Sequence, residues 1–183
     1  MTALEAGLVE VTSVLESLSI PNMLIGGLAV SLWGEPRATV DVDLTIWVEP
    51  EDLERTVHQL CERLRVLTGD PVSFVRQTRV LPVQTSQEVR ADLIFGALPY
   101  EKQAIGRAQP KQVAGQTVMV ASVEDLILMK LASERQKDFE DARRLLWRYH
   151  GFLNREYLEP RLRELAEALG RSEILEMLKK MSS

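Results

Sequence analysis

The sequence predicts an α+β fold: a small mixed β-sheet flanked by helices, followed by a helical C-terminal part. Three observations predict it. Short β-branched runs with period-two alternation recur between residues 22 and 120. Helical patterns with a 3.6-residue period separate them, as in the first helix marked by Leu4, Leu8, Val11, Leu15 and Leu18. From Ser122 onward the pattern is helical throughout, with breaks near Ser133, Gly151 and Gly170. A chain of 183 residues can bury a substantial core. The predicted organisation is a mixed core over residues 1–121 and a helical subdomain over 122–183.

The elements follow in order. Ile20-Pro21 ends the first helix, and Asn22 to Ile25 reads as a short strand that runs into Gly26-Gly27. Leu28 to Trp33 gives one or two helical turns. In the run Val40 to Val48, Val40, Val42, Leu44, Ile46 and Val48 fall on one strand face, with Asp41, Asp43, Thr45 and Trp47 on the other. Pro50-Glu51-Asp52 opens a helix with acidic residues at its positive end, predicted to run to about Val66. Strands are expected over 72–76, 79–83 and 89–95, a short helix over 99–107, and a hairpin through Ala114-Gly115-Gln116. Ser122, with Asp125 at the capping-box position, starts the helical part.

Two aspartates at i and i+2 in a β-branched strand need a reason, because Asp is a poor strand former. Side by side and unneutralised they repel, and a divalent cation removes the conflict. Carboxylate oxygens suit Mg²⁺ or Mn²⁺, with nucleotide phosphates completing the shell. A solvent-facing edge strand with two surface aspartates is the other reading. Upstream, with thirteen residues between, Gly26-Gly27 between a strand and a helix start has the parts of an anion site. An ordinary tight turn has the same composition. Arg37 could reach a phosphate or pair with Glu35.

Leu24-Ile25-Gly26-Gly27-Leu28-Ala29-Val30-Ser31, followed by Arg37-Ala-Thr-Val-Asp41-Val-Asp43-Leu44, resembles the signature of the DNA polymerase β-like nucleotidyltransferase superfamily. Val89-Arg90-Ala91-Asp92-Leu93-Ile94-Phe95 offers that superfamily's third carboxylate, Asp92, on a later strand. The run from Lys130 to Asp141, read as Lys-x4-Arg-x-Lys-Asp-x-x-Asp, is similar to the second block of AbiEii-like nucleotidyltransferases, which include toxins of type IV toxin–antitoxin systems. The resemblance implies a nucleotidyltransferase core and transfer of a nucleoside monophosphate from an NTP to an acceptor. It implies Mg²⁺ or Mn²⁺ at Asp41, Asp43 and Asp92, nucleotide contact by Gly26, Gly27, Ser31, Arg37, Lys130 and Arg135, and a catalytic or acceptor-positioning role for Asp138. Its acceptor would be tRNA, with an antitoxin protein as partner. The glycine block also resembles small antibiotic-modifying nucleotidyltransferases, whose acceptor is a small molecule, and a non-catalytic nucleotide-binding protein of this fold is a third reading. On helix spacing alone, Lys130 with Glu134 and Lys137 with Asp141 are i,i+4 pairs of a solvated helix face.

Composition narrows the class. A formal net charge of −5 argues against strong non-specific nucleic-acid binding. Lys130 to Arg171 nonetheless holds ten Lys and Arg against eight Asp and Glu. The single Cys61 excludes an intramolecular disulfide, and the separated His58 and His150 do not suggest a zinc site. No apolar run reaches membrane length and the N-terminus has no signal-peptide pattern, so a cytoplasmic location is expected.

Overall fold

The computed structural model describes residues 1–35 and 38–181. The chain divides into two compact units, Met1–Ala29 with Arg37–Ala121, and Val30–Pro36 with Ser122–Ser183.

The first unit is built on a seven-stranded mixed sheet in the order β3 (Arg65–Val66), β4 (Val80–Gln84), β5 (Arg90–Phe95), β2 (Asp41–Ile46), β1 (Asn22–Ile25), β7 (Gln116–Val120), β6 (Gln109–Val113). Helix α1 (Ala3–Ser17) begins with a reciprocal capping box: Glu5 N–H donates to Thr2 Oγ1 at 3.1 Å, and Thr2 N–H donates to Glu5 Oε2 at 2.7 Å. Its buried face carries Leu8, Val11 and Leu15, the apolar stripe predicted from sequence. Strand β1 (Asn22–Ile25) pairs antiparallel with β2 (Asp41–Ile46), and β2 pairs parallel with β5 (Arg90–Phe95). Leu24, Leu44, Leu93 and Leu81 are register partners across four strands and are fully buried, so the centre of this sheet face is an unbroken leucine row. That row holds the strands whose opposite face carries the aspartates. The hairpin falls as expected, with β6 (Gln109–Val113) and β7 (Gln116–Val120) joined through Ala114 and Gly115, both at positive φ.

Four expectations are corrected. The segment 72–76 is not a strand: it lies in helix α4 (Pro71–Thr78), whose start is set by Asp70 Oδ1 accepting from Ser73 N–H at 3.2 Å and by Pro71 in the first turn. The helix after Pro50 stops early: a 3-10 turn (Pro50–Asp52) leads into α3 (Leu53–Cys61), and Arg65–Val66 form edge strand β3 against Gln84 and Val83 of β4 (Val80–Gln84). Pairing with the sheet overrides helix propensity there. Val40 precedes the strand and is exposed rather than buried with Val42 and Leu44. Gly26 and Gly27 form no separate turn, because α2 (Gly26–Leu32) opens directly from β1.

Helix α5 (Pro99–Gly106) completes the first unit, and Glu101 Oε2 accepts from the N–H groups of Ala97 and Leu98 ahead of it. The second unit contains α6 (Val123–Ala132), α7 (Gln136–Tyr149), α8 (Arg155–Leu169) and α9 (Ser172–Met181), separated at the predicted breaks. Ser122 caps α6 by accepting from Asp125 N–H at 3.1 Å. Buried Asp125 in turn accepts from Ser122 Oγ at 2.6 Å and from the Tyr157 hydroxyl at 2.5 Å, tying α6 to α8. Arg171 does the same at the other end of α6, donating to the carbonyls of Leu131 and Ser133. Among the described residues, no helix is long and apolar enough to cross a membrane.

Candidate active site

The predicted site residues fall into two clusters, one in each unit. In the first unit the period-two argument holds residue by residue. Asp41 and Asp43 alternate with buried Val42 and Leu44. Across the parallel ladder Asp43 is the register partner of Asp92, and Asp41 that of Arg90. Register partners project to the same sheet side, so three carboxylates and one guanidinium share one face of two adjacent strands about 4.8 Å apart.

Gly26 meets this face from β1. Its φ is +71°, and a Cβ built there would lie 2.0 Å from Asp43 Oδ2. Only glycine admits that approach, since the backbone is left-handed and the carboxylate occupies the space of any side chain. The Gly-Gly signal is therefore specific for a different reason than phosphate access alone: it is the partner of Asp43. Gly26→Ala is expected to cost at least about 1–2 kcal/mol from the left-handed backbone alone, and to push the Asp43 carboxylate off its position. Denaturant midpoints of the two proteins measure the first effect; an unchanged midpoint would show that the approach is not tight.

Asp41 Oδ1 accepts from Thr39 Oγ1 at 2.8 Å, which orients it. Asp92 is held by Arg90, whose Nε donates to Oδ1 at 3.0 Å and Nη2 to Oδ2 at 3.2 Å. Arg90 is the residue that sequence reasoning passed over, although an arginine two positions before Asp92 in a strand must share its face. The donor set fits a hard divalent cation, being three carboxylates on one sheet face. In the described arrangement no three His, Cys, Asp or Glu side chains among the described residues are already drawn together as a metal-holding group.

In the second unit, Lys130 is not part of a solvated face. Its side chain is 8% exposed, and Nζ lies 2.5 Å from Asp138 Oδ1 and 3.2 Å from Asp141 Oδ2. The solvated-face reading of Lys130 with Glu134 is thereby corrected, while Lys137 is exposed: burial of α6 against α7 draws Lys130 to the carboxylates of α7. Asp138 Oδ2 also accepts from Ser133 Oγ at 2.8 Å and lies 2.9 Å from Arg135 Nε. Burial alone would raise the Asp138 carboxyl, but the hydrogen bonds from Lys130 and Ser133, with the charges of Lys130 and Arg135, outweigh it and hold it below the usual carboxylate range. Ser31 lies in the second half of α2, which groups with the helical unit. Glu35 pairs with Arg148 at 3.2 Å, while Arg37 lies outside the described residues.

Residues 4–183 match the family described as nucleotidyl transferase of unknown function (DUF2204). This chain belongs to that nucleotidyltransferase family. No curated protein matches the sequence. Solved structures share the fold at low identity. An antigenic nucleotidyltransferase-like protein from Paracoccidioides brasiliensis is 19% identical with a TM-score of 0.59, covering 97% of this chain and 92% of that one. The antibiotic-resistance factor ANT(2'')-Ia in solution is 18% identical with a TM-score of 0.55, covering 96% of each chain. The lincomycin-bound lincosamide antibiotic adenylyltransferase LnuA is 13% identical with a TM-score of 0.53, covering 77% of this chain and 95% of that one. The carboxylate face of this nucleotidyltransferase thus sits in a fold shared along nearly the whole length of each of the three.

Proposed function

We propose that this nucleotidyltransferase uses a divalent metal ion, held by Asp41, Asp43 and Asp92, to transfer a nucleoside monophosphate from an NTP to an acceptor hydroxyl. The observation that supports it most directly is the register of Asp43 with Asp92 on a face where Gly26 has no room for a side chain. Mg²⁺ or Mn²⁺ at these carboxylates would neutralise phosphate charge and lower the pKa of the acceptor hydroxyl. The chain's own part is position: the leucine row fixes the strands, Thr39 orients Asp41, and Gly26 leaves room for the Asp43 carboxylate. Nucleotide contacts by Ser31, Arg37, Lys130 and Arg135, and acceptor positioning by Asp138, rest on the superfamily resemblance. For Lys130, contact with a phosphate requires exchange of its carboxylate partners.

For the acceptor we favour a small hydroxyl-bearing molecule. A net charge of −5 repels a polyanion and suits a neutral or cationic acceptor. Two of the proteins sharing the fold are an antibiotic-resistance factor and a lincosamide adenylyltransferase. A second reading, tRNA as acceptor for an AbiEii-like toxin with an antitoxin partner, is favoured by one surface. Residues 142–155 hold four arginines, of which Arg143, Arg148 and Arg155 pair with Glu140, Glu35 and Glu159, and Trp147 and Phe152 within them are 82% and 87% exposed. Cations beside exposed rings suit phosphates and unstacked bases.

The test is incubation with labelled NTPs and Mg²⁺, in one series with aminoglycosides and lincosamides and in another with total tRNA. Labelled drug is the expected result. Labelled tRNA, together with growth arrest on expression, establishes the second reading instead. NTP binding without transfer to any acceptor shows a non-catalytic protein, and transfer that is undiminished in EDTA removes the metal from the proposal.

A further inference from the structure

The carboxylate face carries its own cation. Three aspartates on two adjacent strands place three negative charges on one side of the sheet, where they repel one another. Arg90 answers that charge from within the face. Its guanidinium forks onto both oxygens of Asp92, at 3.0 and 3.2 Å, and its strand position is the register partner of Asp41. Its charge also interacts favourably with Asp41 and Asp43. The pairing is lopsided in exposure. The Asp92 side chain is 22% exposed and that of Arg90 59%, so the carboxylate is fixed in the sheet while the guanidinium reaches it from solvent. An exposed arginine can swing aside at small cost, whereas Asp92 cannot.

We propose that Arg90 is a built-in counter-cation of the metal site: it holds Asp92 in the metal-free protein and must yield that carboxylate when a divalent ion binds. This rests on the reading of Asp41, Asp43 and Asp92 as metal ligands, and it adds a competitor to them. The divalent ion and the guanidinium seek the same oxygens, so the arginine keeps the face assembled without metal and weakens metal affinity. A residue that merely oriented Asp92 for the ion would strengthen it. The two roles predict opposite signs.

The measurement is Mn²⁺ binding by calorimetry to the wild-type protein, Arg90→Gln and Arg90→Lys, with thermal unfolding of each in EDTA and in excess Mn²⁺. Arg90→Gln is expected to bind Mn²⁺ on the order of three- to tenfold more tightly, the scale of a released surface ion pair. Its unfolding midpoint should fall in EDTA and recover with Mn²⁺, by a larger upshift than the wild type shows. Arg90→Lys, which keeps the charge without the fork, should lie between them, and it carries the comparison if Arg90→Gln does not fold. Equal or weaker Mn²⁺ binding by the variants, with the wild type binding normally, overturns the counter-cation while leaving the metal site standing. If the wild type binds no Mn²⁺, the metal reading fails and this proposal fails with it.

Discussion

Asp41→Ala combined with Asp43→Ala is expected to bring nucleotidyl transfer down by at least about a thousandfold while leaving the fold in place. The loss follows from the proposed role, because a metal-assisted phosphoryl transfer takes several kcal/mol of its transition-state stabilisation from the ion and its ligands, and each 1.36 kcal/mol is tenfold in rate. Retention of the fold follows from two opposing terms. Asp41 gives up its hydrogen bond from Thr39 Oγ1, and Asp43 its packing against Gly26, which destabilise the sheet. Against this, two neighbouring like charges disappear from a strand, and alanine leaves the buried Val42, Leu44 and Leu93 untouched. The balance should stay within about 1 kcal/mol of the wild type in urea at neutral pH. Labelled-nucleotide transfer and equilibrium unfolding on the same preparations give both numbers. Wild-type transfer by the double variant would sink the metal-ligand assignment, whereas a large loss of stability would show that the aspartates are structural.

The candidate site was legible where one side chain's direction is fixed by one backbone rule. Period-two alternation was enough to put Asp41 and Asp43 together, and the buried partners Val42 and Leu44 confirm that face. That Asp43 and Asp92 stand opposite each other was not legible, since parallel register depends on a long crossover and not on either strand's own sequence. Arg90 could have been placed on the aspartate face by the same alternation, but its partner could not. The glycine pair was legible as a backbone necessity and illegible as to cause: positive φ is a local signal, while a carboxylate at 2.0 Å from the missing Cβ comes from a neighbouring strand. Two of the errors in the fold have one source. Residues 72–76 and 62–66 are locally ambiguous, and their states were decided by Asp70 capping one and by β4 pairing with the other. In the C-terminal part helix spacing gave the breaks correctly, yet it assigned Lys130 to solvent because i,i+4 geometry says nothing about which helix lies alongside.

Lys130→Met is the substitution expected to cost the second unit most. Methionine retains an apolar stem at this buried position, so the change isolates the ammonium. Without it, Asp138 and Asp141, with side chains 2% and 10% exposed, lose their buried cation, and removal of one partner from a buried pair costs about 3–5 kcal/mol. Ser133 and Arg135 still serve Asp138, which places the expectation at the lower end of that range. The pH dependence has a definite sign. The folded carboxyl of Asp138 is held below its unfolded value, so its contribution is fully present above the ordinary carboxylate pKa of about 4 and is lost as pH falls through the lower folded value. In Lys130→Met that depression is relieved, and the stability gap to the wild type should be widest near neutral pH and narrow below pH about 4. Urea unfolding at a neutral and an acidic pH reads this directly. Adding Asp138→Asn to Lys130→Met should recover part of the loss, because the buried charge that lacked a partner is then gone. A neutral-pH loss under about 1 kcal/mol would mean that Asp138 and Asp141 reach water when Lys130 is absent, and that the cluster is open enough for a phosphate to take their place at Lys130.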